Sequence, residues 1–250
     1  MADGLLRAES LSRRFGGLAA VDSVSLSCAT GKVHAVIGPN GAGKSTLVNL
    51  LSGELALSAG KVWFDDKEIT GATPDRISLL GIARSYQKTN LFAPFTAFEN
   101  CRLAAQSRLG SSMHFFQPAT ARQDVNAQAR EALAKVGLDA QADAAVSTLS
   151  HGEKRQIEIA MALATRPRAL LLDEPLAGMG AEESIRIVEL LRELAKDHAI
   201  LLVEHDMDAV FAVADTLTVM VNGRVLESGS PTQIRRSRAV QEAYLGVDSD

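Results

Sequence analysis

Residues Gly38-Pro39-Asn40-Gly41-Ala42-Gly43-Lys44-Ser45-Thr46 carry the most specific chemistry in the chain. The run satisfies GxxxxGK[ST], and each residue type has a task in holding polyphosphate. Glycines let the backbone fold tightly enough for successive N–H groups to converge on phosphate oxygens, and a helix starting near Lys44 adds the positive end of its dipole. Lys44 then reaches the β- and γ-phosphates, and the Ser45 hydroxyl ligates Mg2+. The alternative, a glycine turn with an incidental Lys-Ser, is disfavoured by the strand before the run and the helix after it. A second element belongs with this one. Leu170-Leu171-Leu172-Asp173-Glu174 is an apolar segment ending in two adjacent carboxylates. Asp173 can hold Mg2+ through water, and Glu174, turned to the other side, can orient or deprotonate an attacking water. Alone, the pair also fits a solvated strand end; beside a phosphate loop it points to phosphoryl transfer.

The elements that must position these residues are legible as short periodic segments. Leu5 to Leu11, Val21 to Leu26, Lys32 to Ile37 and Lys61 to Phe64 read as strands, separated by Gly16-Gly17, Thr30-Gly31 and Ala59-Gly60. Thr46 to Ser52 reads as a helix stopped by Gly53. From about Thr89 to Leu149 the strand signal disappears, and Ala119 to Val136 reads as an amphipathic helix before Gly137. A helix over Glu153 to Thr165 follows, then strand Ala169 to Leu172, helix Glu182 to Lys196, strand Ile200 to Val203, helix Met207 to Ala214 and strand Leu217 to Val221. Strands alternating with helices predict a parallel α/β sheet.

Composition narrows the function classes. At 250 residues, 46% hydrophobic and 22% charged, the chain can bury a sizeable core and is far from disordered sequences. A net charge of −4 has the wrong sign for wrapping nucleic acid, so no nucleic-acid partner is expected. Cys28 and Cys101 lie apart with no CxxC or Cys/His cluster, which argues against disulfides and zinc. No apolar run reaches the ~18 to 20 residues of a membrane span, and the N-terminus lacks the apolar core of a signal peptide.

Leu149-Ser150-His151-Gly152-Glu153-Lys154-Arg155-Gln156 resembles the signature motif of ABC transporter ATP-binding subunits, usually LSGGQ, and it precedes Asp173-Glu174 at the spacing of that family. The same residues match a capping box, Ser150-x-x-Glu153, and both readings hold together. The resemblance covers the whole chain. It implies an α/β P-loop NTPase fold: a mixed sheet with a parallel core, an N-terminal antiparallel β-subdomain and an inserted helical subdomain. The implied division is a single ATP-binding domain over 1–250, with 1–87 and 151–250 as RecA-like core plus β-subdomain and 88–150 as the helical part. It implies ATP and Mg2+ as cofactors and a dimer of cassettes, in which Ser150 and Gly152 grip the γ-phosphate on the partner's phosphate loop.

Further positions resemble the family's remaining motifs. Gln87 looks like the glutamine that touches Mg2+ and the attacking water, against the alternative of a solvated loop residue. His205, after the strand that follows Glu174, looks like the histidine that contacts the γ-phosphate, where a lone His is more often structural. Phe15 precedes Lys44 by 29 residues, the interval of an adenine-stacking ring; the alternative is a core phenylalanine. Gly81 to Gln87, Leu91-Phe92, Glu99-Asn100, Glu204-His205-Asp206-Met207 and Tyr244-Leu245-Gly246 resemble cassettes of the branched-chain amino-acid and urea/amide uptake group. That implies membrane permease subunits docking near Gln87 to Glu99, indirectly an extracytoplasmic solute-binding protein, and a place at the cytoplasmic face of the membrane. The competing readings are a lipid or lipopolysaccharide exporter cassette and a soluble ABC ATPase. Three residues depart from the family pattern: His151, Glu153, and Gly180 where many cassettes carry aspartate. The cluster Arg235-Arg236-Ser237-Arg238 reads as a solvated helix face, with an approach to anionic headgroups or a permease loop as the alternative.

Overall fold

A computed structural model describes residues 4–85, 91–108 and 122–245. Two sheets arise from two kinds of strand. The N-terminal strands mix buried and exposed positions, as befits a sheet with one wet face. β1 (Leu6–Phe15), β2 (Leu18–Cys28), β4 (Ala59–Phe64) and β5 (Lys67–Glu68) form an antiparallel sheet in the order β2-β1-β4-β5. β1 and β2 run on to a tight turn at Gly16-Gly17, further than their apolar patterns reach, with Phe15 paired to Leu18. Register shifts along β1 absorb its irregular alternation.

The central strands of the second sheet are largely apolar because both of their faces are covered. β3 (Lys32–Ile37), β6 (Ile82–Arg84), β7 (Ala169–Asp173), β8 (Ala199–Val203), β9 (Thr216–Val221) and β10 (Arg224–Gly229) form a sheet in the order β10-β9-β3-β8-β7-β6. All its pairs are parallel except β9–β10. Along β7 the period of two is visible in the packing: Leu170 and Leu172 join the core under the helices, while Ala169 and Leu171 face the core shared with the N-terminal sheet. The expectation of a parallel core with an antiparallel subdomain matches this arrangement.

Helices fill the faces. α1 (Lys44–Leu51) lies between the sheets; α2 (Pro74–Leu80) precedes β6. α3 (Ala97–Gln106) and α4 (Gln123–Lys135) pack on each other and on α5 (His151–Ala164) through Cys101, Ala105, Ala129 and Leu133. α6 (Ala181–Ala195), α7 (Met207–Val213), α8 (Pro231–Arg236) and α9 (Arg238–Leu245) complete the chain. Several short elements carry no periodic signal: α2, β5 and β6 are too brief, and β10, an edge strand with no buried position, reads as polar loop. α1 begins at Lys44, two residues before the apolar pattern, because Gly43 at φ 99° turns the chain directly into it.

Candidate functional site

The loop from Gly38 to Gly43 joins the end of β3 to the start of α1, and its path requires glycine at two close approaches. A methyl group on Gly38 would collide with the Met220 carbonyl, and one on Gly43 with the Ala20 carbonyl. Lys44 folds back under the loop, its Nζ donating to the carbonyls of Gly38 at 2.7 Å and Pro39 at 3.1 Å. Burial pushes its pKa down, while Glu174 and Asp173 pull it back up. Asn40, Gly41, Ala42, Gly43, Lys44, Ser45 and Thr46 line an open cleft of about 550 Å3 together with Glu174, Ala20 and Asn222-Gly223. The turn at Gly223 is tied to the loop by its N–H to the Ala42 carbonyl at 3.0 Å.

Asp173 ends β7 at 1% exposure, and its surroundings are lopsided. Its Oδ2 lies 3.5 Å from the Arg84 guanidinium, which also pairs with Glu54 at 2.9 Å and reaches the Ser52 hydroxyl at 3.0 Å. Its Oδ1 is buried and accepts no hydrogen bond among the described residues. Desolvation raises the Asp173 pKa, and Arg84 opposes it. A buried oxygen without a donor fits a hard cation or its bound water. Mg2+ typically takes only one or two carboxylates and completes its shell with water and substrate phosphates, which suits Asp173 with the Ser45 hydroxyl.

Glu174 follows with φ 50°, a left-handed conformation that costs a side-chain-bearing residue ~1–2 kcal/mol. The backbone is pinned there. Its N–H donates to the Val203 carbonyl at 2.8 Å, and its carbonyl accepts from Arg155 at 2.6 Å. Arg155 is itself buried and pairs with buried Glu158 at 2.5 Å. The turn therefore sends Asp173 into the protein and Glu174 into the cleft. His205 is 62% exposed, with Nδ1 4.0 Å from Glu174 Oε1. Beneath it, fully buried Glu204 accepts the backbone N–H groups of Leu176 at 2.7 Å and His205 at 3.1 Å, joining the loops after β7 and β8. Burial raises the Glu204 pKa. Arg155 and Glu204 were invisible as site residues in the sequence; the one available signal was a charge closing the apolar strand Ala199–Val203.

Ser150 and Gly152 stand elsewhere. They open α5, where the capping box forms as read: the Ser150 hydroxyl accepts from the Glu153 N–H at 3.2 Å and Glu153 accepts from the Ser150 N–H at 2.8 Å. With Glu183 and Arg186 they line a cleft of about 240 Å3 that shares no residue with the cleft at Lys44. His151 reaches across to the Ala177 carbonyl at 3.2 Å, and the Gly180 N–H donates to Glu183 at 3.2 Å. Phe15 is 45% exposed, which removes the core alternative; Arg13 lies over its ring at 4.7 Å, and its cross-strand partner Leu18 lines the cleft at Lys44. Gln87 lies outside the described residues. Of the surface expected to meet a permease, Phe92 and Phe95 are exposed and stacked at 5.5 Å.

A phosphate loop, a buried carboxylate with an open oxygen, a second carboxylate in the cleft and a capped LSHGE turn coincide with a match of residues 21–177 to the family described as ABC transporter. The chain belongs to the ABC transporter family. Residues 224–250 match a second family, branched-chain amino acid ATP-binding cassette transporter. The chain is 38% identical to the high-affinity branched-chain amino acid transport ATP-binding protein BraF of Pseudomonas aeruginosa, over 98% of this chain and 99% of the relative. It is 36% identical to LivG of Escherichia coli, a protein of the same description, over the same shares. Among solved structures, the ADP conformation of an ABC transporter's ATP-binding cassette superposes with TM-score 0.88 at 31% identity, covering 98% of this chain and 100% of that one. A nucleotide-free cassette gives 0.87 at 31% identity over 97% and 99%. This ABC ATPase has, among the described residues, no helix long and apolar enough to cross a membrane.

Proposed function

We propose that this chain is the ATP-hydrolysing subunit of an importer of branched-chain or other hydrophobic amino acids, working as one of two cassettes on membrane permease subunits. The observation that carries the hydrolytic reading is the turn at Asp173-Glu174, which puts one carboxylate behind the phosphate loop and the other into its cleft. In this reading Lys44 and the loop N–H groups bind the β- and γ-phosphates, and Phe15 stacks on adenine. Asp173 and Ser45, with Gln87, hold Mg2+, which when bound neutralises charge developing on the phosphate oxygens. Glu174 accepts a proton from the attacking water, and His205 steadies the γ-phosphate. Ser150 and Gly152 close over the γ-phosphate of a second cassette, identical or not. We assign one ATP-binding domain to 1–250, with 88–150 as its helical part. The exposed Phe92–Phe95 pair supports permease docking over Gln87 to Glu99 at the cytoplasmic face of the membrane, with a solute-binding protein on the far side.

The names of the relatives and the match of residues 224–250 favour amino acids over lipids, and short amides such as urea remain the second substrate class within the uptake group. The test is uptake of labelled leucine and of labelled urea by cells carrying wild-type chain or Glu174→Gln. Leucine uptake lost in the variant supports the reading; urea uptake lost with leucine uptake intact redirects the substrate, and no change in either sinks the transport role.

A further inference from the structure

Glu183 occupies a position in the LSHGE half-site that its chemistry does not suit. It is the third residue of α6, and one carboxylate oxygen accepts the Gly180 N–H at 3.2 Å. The other lies against the α-carbon of Gly152, so close that a methyl group there would collide with it. This contact buries Gly152 and brings a negative charge to the first turn of α5. That turn has the opposite tendency. The N–H groups of His151 and Gly152 have no acceptor within the helix, and the helix dipole adds positive potential at the same place. Arg186, exposed and one turn along α6, lines the same cleft.

We propose that Glu183 is an electrostatic gate on the phosphate-receiving half-site. Its carboxylate lies against the positive turn while the subunit is unpartnered, and an incoming phosphate is accepted when that carboxylate swings from Gly152 toward Arg186. The gate opposes weakly charged or partial contacts and makes closure depend on a full γ-phosphate charge. Glu183 acts through the half-site and does not touch the reacting atoms. The inference rests on the proposed function, which makes Ser150 and Gly152 the receiving groups.

The test is a titration of the full chain with inorganic phosphate, following the backbone amide signals of Ser150 and Gly152 by NMR, with those of Gly41 and Gly43 as an internal control in the phosphate loop. Glu183→Gln keeps a side chain able to cap Gly180 and removes the charge. It is expected to lower the phosphate midpoint at Ser150 and Gly152 by about three- to tenfold and to leave that at Gly41 and Gly43 unchanged. The difference should shrink at high salt. Glu183→Asp keeps the charge and is expected to stay within about twofold of wild type. Equal or higher midpoints in Glu183→Gln, or a drop in Glu183→Asp as large as in Gln, overturn the gate. Silence at Ser150 and Gly152 in both chains while the loop amides respond also overturns it. Silence at both sets of amides overturns the proposed phosphate chemistry, and the gate with it.

Discussion

The two clefts are built on opposite plans. Around Lys44 and Asp173 the charged groups are buried and paired, and the turn at Glu174 is fixed from both sides by Val203 and Arg155. Around Ser150 the polar groups face outward, and Glu183 and Arg186 are held only at the surface. Interior hydrogen bonds preorganise a site for a transition state, because no reorganisation is then required when charge develops. An open half-site is suited to docking, where the missing partner supplies what the chain lacks. In the proposed function, the contrast separates a chemical end built within the chain from an assembly end that a second cassette completes.

Breaking the chemical end should give the largest effects. Glu174→Gln is expected to cut steady-state ATP hydrolysis about a thousandfold while ATP binding persists; an unchanged rate would remove Glu174 from the mechanism. Arg155→Met leaves Glu158 buried without its partner and frees the Glu174 carbonyl, and should cost about 3–5 kcal/mol in urea denaturation. A loss under 1 kcal/mol would show that the turn is held by other means. Lys44→Ala should weaken nucleotide affinity about a hundredfold by calorimetry, through loss of a charge-assisted contact to phosphate.

The assembly end should respond differently. Gly152→Ala puts a methyl group on the turn that, in the proposed function, receives the partner's phosphate and should lower hydrolysis about tenfold with nucleotide affinity unchanged, so that the two clefts separate in one pair of measurements. If Gly152→Ala weakened nucleotide binding as Lys44→Ala does, the independence of the clefts would fail. The smallest expected effect sharpens the contrast from the interior side. His34 is buried, bonded through Nδ1 to the Ser27 carbonyl at 3.0 Å and through Nε2 to the Thr218 hydroxyl at 2.8 Å, and burial lowers its pKa below 6.5. A depressed folded-state pKa contributes stability above the unfolded value near 6.5 that is lost as the pH falls through the folded value. Denaturation midpoints should therefore fall on acidification below about pH 6.5, with a shallower slope in His34→Gln.

Much of the chemical end was legible because it is local. A strand, a glycine loop and a helix are contiguous from Lys32 to Leu51, and an apolar strand ending in Asp173 announces its carboxylates. The capping box at Ser150 is likewise four consecutive residues with mutual bonds. What stayed hidden depends on pairs far apart in the chain. Arg155 reaches Glu174, Glu204 reaches Leu176, and Glu183 reaches Gly152, each across a distance that no periodicity records. Arg84 lies in β6, too brief to carry a periodic signal, yet it joins Glu54, Ser52 and Asp173. β10 escaped notice because an edge strand with polar alternation resembles a loop.

The exposure of His205 has a consequence for the life of the protein before assembly. Its ring is 62% exposed and stands 4.0 Å from Glu174, outside hydrogen-bonding distance. On the proposed function, in which a second cassette must close over the γ-phosphate, a subunit made ahead of its partners binds nucleotide and holds it without turning it over. Unequal production of the subunits then leaves idle protein and not a drain on the cell's ATP, and stoichiometry can be settled slowly, by collision, after translation.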